Sequence, residues 1–195
     1  MRTVILKYNA GNIQSVSYAL QRLGVDFEIT DDIEKIQSAD KVIFPGVGQA
    51  QTTMQHLRER KLDVVIRELQ QPVLGICLGM QLLCRHSEEG NTPCLGIFDE
   101  TVKRFEPDAR HKVPHMGWNQ VECTDNGTHP GIPQGSYYFV HSYYVPVNRY
   151  TLARCHYTLP FSAIMKKDNF LAAQFHPEKS AEAGEHFLRY FLQSF

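Results

Sequence analysis

The first half of the chain alternates short apolar runs with longer segments whose apolar residues recur every three or four positions. The runs are apolar at consecutive positions, as in strands that are covered on both faces, and the longer segments have the period of amphipathic helices. We predict strands at 3–6, 25–29, 41–44 and 72–76, and helices at 13–23, 50–69 and 79–86. This order of elements is typical of βαβ units and a parallel sheet.

The second half has a different pattern. Short apolar runs are separated by turn residues, which favours antiparallel strands added to the sheet; they lie at 101–105, 120–123, 136–140, 152–156, 163–166 and 170–175. Ser180 is a candidate N-cap for a final helix. The apolar side of that helix carries Phe187, Leu188, Phe191 and Leu192. We therefore expect an α/β fold: a single three-layer domain over residues 1–195, with a mostly parallel central sheet and antiparallel additions.

Composition narrows the class of protein. Hydrophobic residues make up 43% of the chain and charged residues 21%, which is enough apolar material for a core. A formal net charge of -1 gives no indication of a nucleic-acid or membrane partner, and the N-terminus lacks the apolar stretch of a signal peptide. The five cysteines form no CxxC pair, which argues against a disulfide scaffold or a zinc module. A reducing, cytoplasmic location fits this cysteine usage best.

One cysteine lies in a glycine-flanked turn, GICLGMQ at 75–81. Gly-x-Cys-x-Gly between a predicted strand and a predicted helix has the layout of a nucleophile elbow, with Cys77 as the nucleophile. The free N–H groups at the start of the helix favour a thiolate, and the N–H of Leu78 points to where an oxyanion would develop. The alternative is that Cys77 is a small buried hydrophobic residue, and a motif this short leaves both interpretations open.

A base for such a cysteine is present in QFHPEKS, at 174–180. Pro177 keeps His176 out of the helical region, so we predict an extended segment in which His176 and Glu178 point to the same side. Glu178 would then accept the Nδ1–H of His176 and leave Nε2 to take a proton from the cysteine. A lone histidine is more often structural. His141, in FVHSYY, is the one serious competitor as the base, and we interpret it as structural or close to the substrate.

The stretches GICLGMQ, FVHSYY and QFHPEKS, in this order, resemble the class I glutamine amidotransferases over almost the whole chain. In that family a cysteine attacks the side-chain amide carbon of glutamine, ammonia leaves, and water hydrolyses the glutamyl thioester to glutamate. The resemblance implies Cys77 as nucleophile, His176 as general base and acid, and Glu178 as the residue that orients the histidine. It implies no metal and no organic cofactor. It also implies an oxyanion and substrate-binding set, comprising Val47 and Gly48 of the PGVG turn (45–48), Leu78, Gln81, Ser142 and Tyr143.

Three further stretches narrow the resemblance to the glutaminases of imidazole glycerol phosphate synthase, in histidine biosynthesis: YNAGNIQSV, FPGVGQA and VPHMGWN. That resemblance implies a heterodimer with a cyclase subunit, a (β/α)8 barrel that receives the ammonia through a dry channel. The candidates for the docking face are Met116, Trp118, Tyr138 and Lys179, because aromatic and methionine side chains are enriched in interface cores. The alternative for Trp118 is a place in the protein core.

Two other functions remain open from the sequence. A cysteine-dependent peptidase or related hydrolase would use the same elbow, although Gln81 and the PGVG turn favour a glutaminase. A non-catalytic scaffold of the same shape is the other, although a scaffold has no need of an intact Cys77, His176 and Glu178. Comparing glutamate release from glutamine with cleavage of peptide amides separates these functions.

Overall fold

The computed structural model describes residues 1–8, 12–124, 129 and 131–195. The strands in these residues are β1 (Thr3–Leu6), β2 (Phe27–Thr30), β3 (Lys41–Phe44), β4 (Val73–Ile76), β5 (Cys84–Ser87), β6 (Thr92–Pro93), β7 (Phe98–Arg104), β8 (His115–Cys123), β9 (Gly135–His141), β10 (Tyr143–Tyr144), β11 (Thr151–His156), β12 (Pro160–Lys167) and β13 (Phe170–Ala173). The helices are α1 (Ile13–Arg22), α2 (Ile33–Gln37), α3 (Ala50–Glu59), α4 (Leu62–Glu68), α5 (Leu78–Leu82) and α6 (Ala181–Ser194).

Most of these strands form one mixed sheet. Within the described residues it has nine strands, in the order β2-β1-β3-β4-β13-β12-β11-β8-β9. The first five run parallel to one another, and each pairing from β13 to β9 is antiparallel. The predicted α/β fold, with a central parallel sheet and antiparallel additions, is confirmed. Two of the predicted additions were wrong in detail: the segment 170–175 contains β13, which runs parallel to β4, and the segment 101–105 falls in β7, which belongs to a second sheet.

Both faces of the parallel part are covered, which explains its consecutive apolar positions. Because side chains alternate along a strand, neighbouring residues enter two different cores. Val4 and Val42 belong to a core completed by α2, α3, α4 and α5, whereas Ile5 and Ile43 belong to a core completed by α1 and α6. The result is the predicted three-layer arrangement of helices, sheet and helices.

The sequence prediction was wrong in two helical regions. The helix predicted at 50–69 is divided into α3 and α4 at Lys61, which has a φ of 58° and carries none of the usual glycine or proline signals. The helix predicted at 79–86 ends at Leu82, and the following residues form β5 in a second sheet of order β10-β7-β5-β6. Parallel pairing of β5 with β7 outweighs the helical preference of this segment.

Three adjacent parallel strands, β3, β4 and β13, bring the candidate site together. Their carboxyl ends lie at the same edge of the sheet, where open α/β sheets bind ligands. The PGVG turn follows β3, Cys77 follows β4, and the segment 174–178 follows β13. Among the helices of the described residues, none has the length and apolar character needed to cross a bilayer.

Candidate active site

Cys77 lies in the sharp turn between β4 and α5. Its φ of 53° and ψ of -109° are outside the regions favoured for a residue with a side chain. Its N–H donates to the carbonyl of Ala173 on the neighbouring strand over 2.7 Å. Gly79 permits the turn to pack closely, since a methyl group there would lie 2.1 Å from the carbonyl oxygen of Phe44. The strand–turn–helix geometry predicted for 75–81 is therefore present.

The PGVG turn packs against the start of α5. A methyl group at Gly46 would lie 2.3 Å from the backbone nitrogen of Gly79, so a larger residue would force the two segments apart. The N–H of Leu78 donates to the carbonyl of Gly46 over 3.4 Å. The hydroxyl of Tyr8 donates to the carbonyl of Pro45 and so anchors the same turn. The N–H group that would face an oxyanion is therefore occupied by a carbonyl.

His176 and Glu178 are in direct contact, but the segment that carries them is not extended, which was the prediction. Nδ1 of His176 lies 2.8 Å from Oε1 of Glu178, and both side chains are fully buried. The chain forms a 3-10 turn over Pro177–Lys179, because proline also suits the first position of a helical turn. Ser180 precedes α6 as predicted, but its hydroxyl does not cap the helix; it donates to the carbonyl of His176 over 2.7 Å.

The ionic state of His176 is set by its neighbours. Burial by itself lowers the pKa of His176, but the electrostatic interaction with Cys77, together with the hydrogen bond and charge of Glu178, raises the pKa above its ordinary value. Nε2 of His176 is buried and has no hydrogen-bond partner among the described residues. Nδ1 is engaged by Glu178, so Nε2 is the nitrogen available to the Cys77 thiol.

Asn12 is a member of this site that the sequence reasoning missed. Its Nδ2 donates to Oε1 of Glu178 and lies 3.3 Å from Nδ1 of His176. The residue has a φ of 72° and immediately precedes α1. An asparagine immediately before a predicted helix is the signal that could have identified it.

A cavity of about 250 Å³ opens beside Cys77. It is lined by Val47, Gly48, Cys77, Leu78, Gln81, Glu89, Val140, His141 and Tyr143. Five of the six predicted oxyanion and substrate-binding residues are in this group. Ser142 is not, and its carbonyl accepts the N–H of Phe105 over 3.0 Å.

Glu89 was not predicted; among the described residues that line this cavity it is the one with an acidic side chain. Its carboxylate accepts the N–H of Ala50, at the start of α3, over 2.7 Å. Burial raises the pKa of Glu89, partly offset by that hydrogen bond. A carboxylate at the wall of a small, mostly apolar cavity is a suitable partner for a cationic group of a ligand.

Hydrogen bonds link Gln81, in the cavity wall, through Gln174 to the Cys77 sulfur. Nε2 of Gln81 donates to the carbonyl of Tyr143 over 2.9 Å and to Oε1 of Gln174 over 3.0 Å. Nε2 of Gln174 lies 3.7 Å from Sγ of Cys77 and donates to it. Both amide hydrogens of Gln81 are thus engaged, which leaves its Oε1 as the atom that can accept a hydrogen bond from a ligand.

The structure excludes His141 as the base for Cys77. Nδ1 of His141 lies 2.7 Å from the carbonyl of Tyr143, and its Nε2 lies 2.9 Å from Nδ1 of His115. Both ring nitrogens therefore have other partners. The interpretation of His141 as structural or close to the substrate agrees with this position.

The four residues predicted for docking include two strongly exposed apolar side chains. Met116 is 64% exposed and Trp118 is 55% exposed, so Trp118 is not a core residue. The Trp118 ring meets that of Tyr138 edge to face at 6.0 Å, and Nζ of Lys179 lies 5.9 Å from the centre of the Tyr138 ring. The carbonyl of Tyr138 also accepts the N–H of His176 over 2.9 Å, which links this surface to the buried site.

Comparison with known proteins gives full-length matches. Residues 4–194 match the family described as glutamine amidotransferase class-I. Imidazole glycerol phosphate synthase subunit HisH from Bacteroides fragilis (strain YCH46) is 60% identical over 195 residues, covering 99% of this chain and 100% of that protein. The protein of the same name from Escherichia coli (strain K12) is 48% identical over 196 residues, covering 99% of this chain and 100% of that protein.

Solved structures agree on the fold. A crystal structure of a glutamine amidotransferase has a TM-score of 0.76 at 22% identity, covering 97% of each chain. A glutamine amidotransferase from Thermotoga maritima has a TM-score of 0.62 at 15% identity, covering 98% of this chain and 82% of that one. At these identities the likeness concerns the arrangement of the helices and strands.

Proposed function

Because this chain belongs to the class I glutamine amidotransferases, we propose that it is the glutaminase subunit of an imidazole glycerol phosphate synthase. It would hydrolyse glutamine to glutamate and ammonia and pass the ammonia to a cyclase subunit in histidine biosynthesis. The observation that carries the proposal is the contact between His176 and Glu178, 2.8 Å apart, beside a cysteine in an elbow. The names of the relatives that match over their full length support the same assignment.

In the proposed reaction Cys77 is the nucleophile. Its thiolate attacks the side-chain amide carbon of glutamine, while His176, made cationic by the thiol proton, later gives that proton to the departing nitrogen. Ammonia leaves and a glutamyl thioester remains. His176 then takes a proton from a water molecule, which attacks the thioester and releases glutamate and the thiol. Glu178 holds the ring in place and stabilises the imidazolium, and Asn12 holds Glu178.

The oxyanion of both tetrahedral intermediates requires backbone donors. We assign this role to the N–H of Leu78 and to N–H groups of the PGVG turn at Val47 and Gly48. The carbonyl of Gly46 accepts from Leu78 in the resting arrangement, so the turn must reorient before the donor becomes available. We therefore expect slow glutamine hydrolysis by the isolated chain and faster hydrolysis when a partner reorients the turn.

Glutamine binding is assigned to the walls of the cavity beside Cys77. The carboxylate of Glu89 suits the α-ammonium group, and Oε1 of Gln81 suits an N–H donor of the ligand. Tyr143 closes the wall next to Gln81. Ser142 keeps its proposed role at the amino-acid end of glutamine only if its side chain turns toward the cavity when glutamine binds.

The partner is proposed to be a (β/α)8 cyclase barrel that forms a heterodimer with this chain. The cluster of Met116, Trp118, Tyr138 and Lys179 would supply the docking face, because methionine and aromatic side chains are enriched in interface cores and Met116 and Trp118 are strongly exposed. Direct delivery is required because ammonia that escapes into water at neutral pH is protonated and is no longer a nucleophile. A cytoplasmic location is proposed, since the reaction needs a reduced Cys77 thiol.

The test is glutamate release from glutamine by this chain alone, and with a cyclase subunit and its nucleotide ligand. Strong stimulation by the partner, absent in Cys77→Ala, supports the proposal. The Cys77→Ala complex should still synthesise product from added ammonia, because only the glutaminase step needs the thiol. Fast hydrolysis without a partner would refute the coupled-subunit assignment, and cleavage of peptide amides in preference to glutamine would indicate a peptidase.

A further inference from the structure

Two buried histidines lie side by side on β8 and β9, outside the catalytic set assigned above. His115 and His141 are paired residues of these neighbouring strands, and their side chains are almost fully buried. Nδ1 of His115 lies 2.9 Å from Nε2 of His141. Nε2 of His115 lies 3.2 Å from Nδ2 of Asn119. The two rings therefore form the middle of a continuous chain of hydrogen bonds.

The neighbouring groups determine which atom donates and which accepts in each of these hydrogen bonds. The carbonyl of Tyr143 can only accept, so Nδ1 of His141 carries the hydrogen and its Nε2 is an acceptor. Nδ1 of His115 must then be the donor, and its Nε2 must accept from Asn119. The orientation of the Asn119 amide agrees with this assignment, since its Oδ1 accepts the N–H of Gln120 over 2.8 Å and its Nδ2 is left as the donor to His115. One arrangement of hydrogens satisfies each of these contacts, with both rings neutral.

Burial keeps the rings in that state. It lowers the pKa of His115 to about 4 and that of His141 to about 3. An extra proton on either ring would place two hydrogens against each other within the chain. The arrangement is therefore stable at neutral pH, and it does not compete for the proton that His176 handles.

One end of this series of hydrogen bonds is at the wall of the proposed glutamine cavity. The carbonyl of Tyr143 accepts from His141 over 2.7 Å and from Gln81 over 2.9 Å. At the other end, Nδ2 of Asn119 is held by the carbonyl of His156 on β11 over 2.8 Å. The position of the Tyr143 carbonyl, and through it that of the Gln81 amide, thus depends on strands at the far side of the sheet.

We propose that the relay of Asn119, His115 and His141 positions the Tyr143 carbonyl and Gln81 for glutamine binding, with His115 as its central positioning residue. This proposal rests on the glutaminase function proposed above. It assigns to the relay an influence on the affinity for glutamine rather than on the chemical step. The alternative role for His115 is aromatic packing, because its ring stacks on Tyr157 at 4.1 Å and on Phe139 at 4.9 Å.

Two substitutions at His115 separate these roles. His115→Phe keeps an aromatic ring but removes the donor to His141, whereas His115→Asn places an amide N–H near the position of Nδ1 and removes the ring. In the complex with the cyclase, we expect His115→Phe to raise the KM for glutamine about 10-fold with a change in kcat below about 3-fold, because a buried acceptor is left unpaired. We expect the KM of His115→Asn to stay within about 3-fold of the wild type, with a lower unfolding temperature.

The opposite ranking, with His115→Phe near the wild type and His115→Asn impaired, would overturn the proposal in favour of packing. An equal loss in both variants would also overturn it, since restoring the donor would have made no difference. Nitrogen NMR of the imidazoles in the isolated chain tests the relay independently of activity. Neutral Nδ1–H tautomers for His115 and His141 at neutral pH are expected, and an Nε2–H tautomer at either ring would contradict the relay even if the glutaminase assignment stands.

Discussion

Replacing Gly79 by alanine tests whether the close packing of α5 against β3 sets the geometry of the proposed oxyanion site. Inside a helix this change ordinarily stabilises a protein by about 1 kcal/mol. Here the added methyl would lie 2.1 Å from the carbonyl oxygen of Phe44. The two atoms must separate by more than about 1 Å to reach ordinary contact, so we expect a net loss of about 1–3 kcal/mol in the free energy of unfolding.

The same displacement acts on the chemistry, because the start of α5 carries Cys77 and the Leu78 N–H. A misplacement of about 1 Å can reduce a catalysed rate on the order of 100-fold. We therefore expect Gly79→Ala to lower kcat/KM for glutamine on the order of 100-fold, while the complex still makes product from added ammonia. The assay is glutamate release by the complex, with thermal unfolding of the isolated chain measured in parallel.

Gly135→Ala is the matched control, because a methyl group at Gly135 would meet nothing within 4 Å. It should leave both activities and the unfolding temperature close to those of the wild type. If Gly79→Ala keeps kcat/KM within about 3-fold of the wild type, close packing does not hold the site and the reasoning is wrong. Loss of the ammonia-dependent activity as well would show that the change disrupts the fold or the complex instead.

Three other substitutions test separate parts of the assignment. Glu178→Gln removes a charge that raises the pKa of His176, so the limb of the kcat/KM profile that reports this histidine should move to lower pH; an unmoved limb would contradict the pairing. Asn12→Leu removes a donor to Glu178 and should lower kcat about 10-fold at unchanged KM; an unchanged kcat would deny it a positioning role. Trp118→Ala should lower stimulation by the cyclase about 10-fold or more, with little change in unfolding temperature. Val64→Ala, another exposed apolar position, serves as its control, and an equal effect of both would refute the docking face.

The sequence predicted four of the five parallel strands, β1 to β4, because their signal is local. Strands that are apolar at consecutive positions, such as β3, end in glycine-containing turns and are followed by helices, and each of these features can be found within a short window. The failures occur where distant pairing decides the structure. The strand β5 follows a helix without a turn signal and exists because β7 lies beside it. The break at Lys61 has no glycine or proline to indicate it.

In the candidate site, too, residues marked by a local pattern were predicted and residues brought in by distant contacts were missed. Cys77 was identified by a motif of five residues, and His176 and Glu178 by a spacing of two. Asn12 reaches Glu178 across 166 positions of the chain, so no local pattern connects them. Glu89 lies in a polar segment whose carboxylates look alike until the fold selects the one that lines the cavity.

The PGVG turn determines whether the Leu78 N–H, which the sequence predicts to be at the site, is available to an oxyanion. The sequence predicts that the N–H of Leu78 faces the site, because any residue after an elbow nucleophile begins the helix there. Whether a carbonyl occupies that N–H depends on the orientation of one peptide unit, which the four residue types of the turn do not indicate. In the resting structure the carbonyl of Gly46 is the acceptor, and the hydroxyl of Tyr8 holds the adjacent carbonyl of Pro45. The proposed activation by a partner would therefore need no new chemical group at the site; it would need only that this peptide turn, so that the Leu78 N–H is released to the oxyanion.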